Sequence, residues 1–210
     1  LDKIGCGSGK FQQIRKLIFT LSTHLSLSLL LMQPHIDYDF KIETDLLLLT
    51  FGPGRLSRAV VNSVPGREHI ALPAQIALDD EAVQVWLWRV LVAALRRQAE
   101  AVLPKRLARL ARDLRYRRVT IKDIHTRWGS CSSLGNINLS LWLMLAPSHL
   151  VDYVLCHELA HLREMNHGPR FWKVLDDMTG GRARELEGEM RRFSRENSHF
   201  LTHKVPKGGS

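Results

Sequence analysis

The segment H-E-L-A-H at residues 157–161 constrains the fold of this 210-residue chain more than any other. Histidines four positions apart lie one above the other on a helix, so both imidazoles can share one metal ion if the segment is helical. Glu158 is offset along the same turn, where its carboxylate reaches a metal-bound water instead of the metal. Pro147 suits the first turn of such a helix. The sequence therefore predicts a helix that carries His157 and His161 as metal ligands and Glu158 as a general base.

The third metal ligand is less strongly determined. A zinc ion in a catalytic site takes three protein ligands and leaves a fourth position for water. We expect His167 to be the third ligand, because it follows His157 by ten residues, as in the longer pattern H-E-x-x-H-x-x-G-x-x-H. Glu164 stands where that pattern has glycine, so the turn must be made differently. The alternative third ligand is a glutamate of the C-terminal helix: Glu185, Glu187 or Glu189.

The cysteines argue against a thiolate metal site. Cys6, Cys131 and Cys156 are odd in number, widely spaced and without any C-x-x-C pair. This pattern predicts neither a disulfide framework nor a zinc site built from cysteines. A reducing compartment is the simplest interpretation, and we expect a cytoplasmic protein.

The first half of the chain predicts strands followed by a helix. Alternating apolar residues between positions 36 and 74, separated by Gly-Pro-Gly and Pro-Gly, indicate a small antiparallel sheet. Asp79 or Asp80 is a suitable N-cap for a helix from residue 81 to about residue 102. We expect Pro104 to restart or kink that helix.

The second half predicts one hairpin and three helices. Residues 119–127 and 137–143 have strand character and flank a stretch rich in Gly and Ser, so we expect them to form a hairpin. Beyond the helix with H-E-x-x-H, Pro169 is a suitable first-turn residue of a second helix, which the Gly pair at 180–181 ends. A charged helix at about residues 182–195 follows.

The two ends of the chain differ in composition from its middle. Residues 1–31 hold a Leu-Ser stretch that falls short of the about 20 apolar residues of a membrane helix. No small-x-small cleavage site follows, so we expect neither export nor stable membrane insertion. We interpret residues 1–31 as a poorly ordered N-terminal extension, residues 32–195 as one catalytic domain and residues 196–210 as a polar tail.

The net charge of +9 is concentrated in one segment. Residues 89–127 carry twelve Lys or Arg against Glu100, Asp113 and Asp123. Such a segment is either a solvated helix face or a surface that attracts a polyanion. Arg127 belongs to this segment. We interpret it either as a substrate-binding residue that grips phosphate or as a partner in a structural ion pair.

Four blocks of residues stand in a fixed order: R-W-G-S-C-S at 127–132, I-N-L at 137–139, D-Y-V-x-x-H-E-L-A-H at 152–161 and N-H-x-x-R-F-W at 166–172. Together they resemble the YgjP-like metal-dependent hydrolases, relatives of the SprT-like and WLM metallopeptidases. The resemblance covers about residues 104–178. It implies an α+β, zincin-like metallopeptidase fold, in which a small, mostly antiparallel sheet packs on the helix with H-E-x-x-H.

The resemblance also implies a zinc ion held by His157, His161 and His167. It leaves the substrate open, because members of the family are described both as metallopeptidases and as hydrolases that cleave UTP to UMP and diphosphate.

Three functions are compatible with these residues. The first is a zinc metallopeptidase whose extended substrate adds to an exposed sheet edge, for which the strand at 137–143 is the candidate. The second is a nucleotide pyrophosphatase that uses the same zinc site and holds phosphate with Arg127. The third is a nucleic-acid-binding module with structural zinc. A structural site needs a fourth protein ligand, and no spaced cysteine supplies one.

Overall fold

The computed structural model describes residues 34–198. The expectations for residues 1–31 and for most of the tail at 196–210 lie outside the described residues. Among the residues that are described, none of the helices is long and apolar enough to span a membrane.

The described chain begins with a four-stranded sheet of order β1-β2-β4-β3. Its strands are β1 (Lys41–Glu43), β2 (Leu48–Pro53), β3 (Val60–Val64) and β4 (Arg67–Leu72). β3 and β4 form the hairpin that the Pro-Gly pair predicts, with Gly66 at φ 82° in the turn. β2 and β4 pair in parallel, so the expectation of a purely antiparallel sheet is wrong. The reason is burial: β3 is mostly exposed and lies at the edge, whereas β4 buries three side chains and lies beside β2.

A single long helix, α1 (Glu81–Ala111), follows this sheet. Its N-cap is Asp80, whose side chain accepts hydrogen bonds from two backbone N–H groups of the first turn. The helix continues through Pro104, so the expectation that it ends near residue 102 and that Pro104 restarts it is wrong, and the alternative of a kink stays a prediction. A proline inside a helix costs about 3 kcal/mol. Leu103 and Leu107 on the same turns are fully buried, and each contributes about 1.5–3 kcal/mol, which outweighs that cost.

The second sheet has three strands, β5 (Arg118–Lys122), β6 (Gly129–Cys131) and β7 (Asn136–Ser140), in the order β5-β7-β6. The predicted hairpin between residues 119–127 and 137–143 is wrong, because β5 and β7 run parallel. The hairpin forms instead between β6 and β7, and β6 lies inside the Gly-Ser-rich stretch. β7 ends at Ser140, since the hydroxyl of that residue accepts from the backbone N–H of Trp142 and begins a 3-10 helix, Leu141–Leu145.

Three helices complete the fold: α2 (Ser148–Ala160), α3 (Pro169–Thr179) and α4 (Ala183–Glu196). Pro169 is the first residue of α3, and Gly180, with φ 66°, ends it, as predicted. α2 is the central helix and contacts α1, α3, α4 and β6.

The α+β class is confirmed, but the strands form two sheets instead of one. Three of the five strand pairings are antiparallel, so the strands are mostly antiparallel, as expected. The buried core is continuous from the first sheet through α1 to α2, so α2 is held from several sides by packed side chains. The H-E-x-x-H segment is therefore carried by a rigid element of the fold.

Candidate metal centre

Three imidazoles converge at the C-terminal end of α2. His157 is in the last turn of that helix, His161 ends it, and His167 lies in the loop before α3. The Nε2 atom of His157 is 3.3 Å from Nε2 of His161 and 3.0 Å from Nε2 of His167. These three residues form a group that could hold a metal ion, with ligand atoms within 4.8 Å of one another. The structure thus brings together the three histidines that the sequence predicted.

Two aromatic residues of α3 position the histidine from the loop. Phe171 is fully buried, and its ring lies 4.6 to 4.9 Å from the ring centres of all three histidines. The indole N–H of Trp172 donates to the backbone carbonyl of His167 at 3.1 Å. The N-H-x-x-R-F-W block therefore supplies both a ligand candidate and the residues that hold it, which the sequence alone did not reveal.

The chemistry of this cluster fits a zinc ion. Nitrogen ligands about 2.0–2.1 Å from a tetrahedral ion lie about 3.3 Å from one another. Nε2 of His157 lies at similar distances from Nε2 of His161 and of His167, 3.3 and 3.0 Å. Nδ1 of His161 is 3.1 Å from the backbone carbonyl of Glu164 and donates its proton there, which leaves the Nε2 lone pair directed at the cluster. Burial, together with the two neighbouring imidazoles, lowers the pKa of His157 to about 4, so this ring is neutral at pH 7.

The alternative glutamate ligands do not join this cluster. Each of the three forms an ion pair with a basic residue: Glu185 with Arg182, Glu187 with Arg191, and Glu189 with His149. Within residues 34–198, no fourth histidine, cysteine or acidic side chain belongs to the group either. The arrangement therefore leaves room for a non-protein ligand, as catalytic zinc sites do.

Glu158 is buried beside the three histidines. The residue is only 5% exposed, and its Oε2 atom has no hydrogen-bond partner in the part of the chain that the structure describes. Burial raises the pKa of this carboxyl to about 8, although the positive charge of Arg127 acts in the opposite direction. An unpaired carboxyl oxygen in a buried site is costly in a purely structural role, so Glu158 is the natural candidate for proton transfer.

Gly129 on β6 lies directly against this carboxyl. A Cβ built on Gly129 would lie 2.5 Å from Oε1 of Glu158 and 2.8 Å from its Cγ. Only a residue without a side chain allows the carboxyl to approach the strand so closely. The R-W-G-S-C-S block contains this glycine, but its contact with a residue 29 positions later was not visible in the sequence.

Arg127 lies at the mouth of a cavity next to Glu158. The cavity has a volume of about 260 Å³ and also includes His157, Gly129 and Tyr153 in its lining. Arg127 is exposed, and no hydrogen bond or ion pair joins it to another of the described residues. The structural ion pair considered for Arg127 is therefore absent from the described part of the chain. Trp128 beside it is half-buried and donates from Nε1 to the hydroxyl of Ser194 at 2.9 Å.

Part of the basic segment 89–127 serves the fold instead of a partner. Arg97 forms an ion pair with the fully buried Glu68. Arg106 forms two hydrogen bonds to Asp152 in α2, one of them 2.8 Å long. The second pair fastens α1 to the helix that carries the histidines. Nothing among the described residues supports a polyanion contact for these two arginines.

A buried carboxyl lies next to three convergent histidines, two of them from an H-E-x-x-H segment and the third from the following loop. This combination defines a metal-dependent hydrolase site. The comparison with protein families agrees. Residues 54–193 match the family described as YgjP-like, metallopeptidase domain, and the chain belongs to this family.

The match to solved structures is weaker. One similar structure is the crystal structure of the metallopeptidase zymogen of Pyrococcus abyssi abylysin, with 25% sequence identity and a TM-score of 0.40. That alignment covers 45% of this chain and 96% of the abylysin chain. No curated protein matches the sequence.

Proposed function

We propose that the protein is a zinc-dependent peptidase in which His157, His161 and His167 hold the ion and Glu158 is the general base. The observation that carries the proposal is the position of Glu158, which lies between the histidine cluster and the edge strand β6. This arrangement allows an extended peptide to lie along β6 with one of its carbonyl carbons facing both the ion site and the base. The family to which the chain belongs is described as a metallopeptidase domain, which supports this choice of substrate.

The mechanism uses Glu158 in its ionised form, which the positive charge of a bound zinc ion would favour over the protonated form that burial alone stabilises. When bound, zinc supplies Lewis acidity that acidifies water and polarises a carbonyl group. Oε2 of Glu158 has no hydrogen-bond partner among residues 34–198, so it is available to take the proton of the attacking water. The same oxygen then returns the proton to the leaving amine nitrogen. Because Glu158 itself is buried, bulk water has little access to this proton.

The sheet edge to which we propose that a peptide adds differs from the strand expected from the sequence. The strand at 137–143 was the candidate edge, but β7 is paired on both sides and cannot accept another strand. β6 is an edge of the same sheet. Ser130 of β6 pairs with Asn138 of β7. On either side of this pair, the N–H of Ser140 donates to the carbonyl of Trp128, and the N–H of Ser132 donates to the carbonyl of Asn136. In an antiparallel pair these inward-facing residues alternate with residues whose backbone groups point away from the partner strand.

The outward groups belong to Gly129 and Cys131, and no described residue hydrogen-bonds to their backbone atoms. Main-chain bonds to such an edge give a peptide its register, independently of its sequence. Gly129 also touches Glu158. A strand added to β6 would therefore pass the general base at a fixed distance.

The test is hydrolysis of unfolded casein by zinc-loaded protein, with Glu158→Gln as the matched control. We expect cleavage by the unaltered protein and a loss of at least about 100-fold in Glu158→Gln, because general-base catalysis contributes about 10²–10⁴-fold. Zinc content measured by elemental analysis should be equal in the two proteins. Equal cleavage by both proteins would refute the role of Glu158, and no cleavage by either would refute the peptidase.

A nucleoside triphosphate pyrophosphatase is the second candidate, and Arg127 is the observation that favours it. An exposed guanidinium that forms no ion pair with any described residue, next to the proposed general base, suits a phosphate group. If UTP is the substrate, Arg127→Ala should lower kcat/KM for UTP by about 10- to 100-fold, and Arg127→Lys should restore only part of it, because lysine keeps the charge but loses the planar fork. Unchanged UTP turnover by a folded, zinc-loaded Arg127→Ala protein would exclude the phosphate contact.

A further inference from the structure

The cavity beside Glu158 extends away from the histidines, between α2 and α4. Its far walls are apolar or aromatic and come from three elements: Trp128 before β6, Tyr153 and Val154 on α2, and Met190 on α4. Glu158 and Gly129 line the same cavity. The space is therefore continuous with both the proposed general base and the proposed substrate edge.

The cavity contains one hydroxyl that has no partner. Tyr153 is only 5% exposed, and its hydroxyl forms no hydrogen bond with any of the residues that the structure describes. Its ring packs edge-on against the ring of His157, with 6.0 Å between their centres, which fixes its orientation. The hydroxyl oxygen is not fully enclosed, so a group that enters the cavity can form a hydrogen bond with it. The hydroxyl therefore favours an occupant with a polar tip.

The size and charge of the cavity limit what that group can be. Pockets for drug-sized ligands have volumes of about 300–1,000 Å³, whereas this cavity has about 260 Å³. It suits one large side chain better than a whole nucleotide. Of the two acidic lining residues, Glu158 is the proposed base and Glu187 is paired with Arg191 at 2.6 Å. Arg127 also lines the cavity, but it is exposed to solvent. The remaining walls are apolar or aromatic and favour an aromatic occupant.

We propose that this cavity selects peptides with an aromatic side chain next to the scissile bond, tyrosine above phenylalanine. The proposal rests on the peptidase function. Side chains of a strand paired with β6 alternate between the two faces of the sheet, so a residue beside the scissile bond is directed toward the cavity. Because Gly129 has no side chain, it leaves the entrance open. The aromatic ring then packs on Val154 and Met190, and its hydroxyl meets that of Tyr153.

The experiment uses a set of peptides that differ only at one position next to the cleavage site: Tyr, Phe, Leu, Ala or Asp. With zinc-loaded protein, we expect kcat/KM for the Tyr peptide to exceed that for the Ala peptide by at least about tenfold, since filling an apolar pocket discriminates by about 10–200-fold. Met190→Phe narrows the cavity and should lower the Tyr-to-Ala ratio at least about tenfold. Met178→Ala on α3, outside the cavity lining, is the control and should leave the ratio unchanged.

Tyr153→Phe removes a single oxygen, so it tests the proposal even if Met190→Phe does not fold. It should abolish the preference for Tyr over Phe while it keeps the preference for Phe over Ala. An unchanged set of ratios in both folded variants would overturn the proposal and leave the peptidase function standing. An Asp peptide cleaved as fast as the Tyr peptide would overturn it as well.

If no peptide is cleaved, the peptidase function is refuted, but the aromatic preference of the cavity can still be tested. The test is then binding of the same peptides to zinc-loaded Glu158→Gln, measured by fluorescence polarisation. Preferential binding of the Tyr peptide that Met190→Phe weakens at least about tenfold would support the cavity as an aromatic pocket. Equal binding of all five peptides, or displacement of the Tyr peptide by uridine monophosphate, would overturn it.

Discussion

Replacing Gly129 with alanine tests whether the position of the Glu158 carboxyl limits catalysis. The new methyl group would lie 2.5 Å from Oε1, 2.8 Å from Cγ and 2.9 Å from Cδ of Glu158, whereas ordinary van der Waals contact begins near 3.4 Å. The carboxyl must therefore retreat by about 1 Å. Gly129 does not have a positive φ, so alanine adds no backbone strain. A displacement of about 1 Å costs roughly 100-fold in rate, and we expect kcat to fall by that factor.

The assay is steady-state hydrolysis of a peptide that the zinc-loaded protein cleaves, with zinc content and melting temperature measured alongside. Zinc content should not change, because the methyl group meets Glu158 and not a histidine. Gly188→Ala on α4 is the control, since a Cβ at that position meets no atom within 4 Å, and it should leave kcat unchanged. A Gly129→Ala protein with full zinc and unchanged kcat would refute the reasoning. Loss of zinc would also refute it, because Gly129 would then act on the metal site.

Three further predictions concern the metal, the buried carboxyl and the first helix cap. His167→Ala should lose stoichiometric zinc in elemental analysis, and alanine at a glutamate of α4 should not; the opposite result would return the third ligand to Glu185, Glu187 or Glu189. After chelation, the unfolding free energy of the unaltered protein relative to that of Glu158→Gln should fall by up to about 5 kcal/mol between pH 4.5 and about 8, because the folded state keeps the Glu158 proton that the unfolded chain releases. The comparison is needed because the lowered pKa of His157 changes the stability in the opposite direction in both proteins. Denaturant titrations should show this difference, and parallel pH curves of the two proteins would contradict it. Asp80→Ala should lower the unfolding free energy by about 1 kcal/mol, since two N–H groups of α1 lose their acceptor; an unchanged denaturation midpoint would rule out the cap.

The features that the sequence predicted correctly depend on neighbouring residues. The spacing of His157 and His161 places both rings on one side of α2, and no other part of the chain is needed for that. Asp80, Pro169 and Gly180 mark helix ends for equally local reasons, because capping and backbone geometry involve residues within one turn. The convergence of the three histidines could therefore be anticipated, including His167, whose spacing from His157 pointed to the cluster.

The features that the sequence missed depend on contacts between distant segments. The strand at 137–143 is locally compatible with a hairpin or with parallel pairing. In the folded chain it pairs on both sides, in parallel with β5 and antiparallel with β6. Pro104 breaks an isolated helix, but buried leucines on either side keep α1 continuous.

The same reason explains what the sequence could not say about the site. H-E-x-x-H determines which atoms face a metal ion, since that is helix geometry. It does not determine that Glu158 is buried, that Gly129 touches it or that Tyr153 faces a cavity, because each of these facts needs a partner from another element. The sequence thus determined the chemistry of the ligands. Tertiary packing alone decided the pKa of Glu158, which strand lies at the edge of the second sheet and the shape of the cavity beside it, because burial and strand pairing are properties of segments brought together from far apart in the chain.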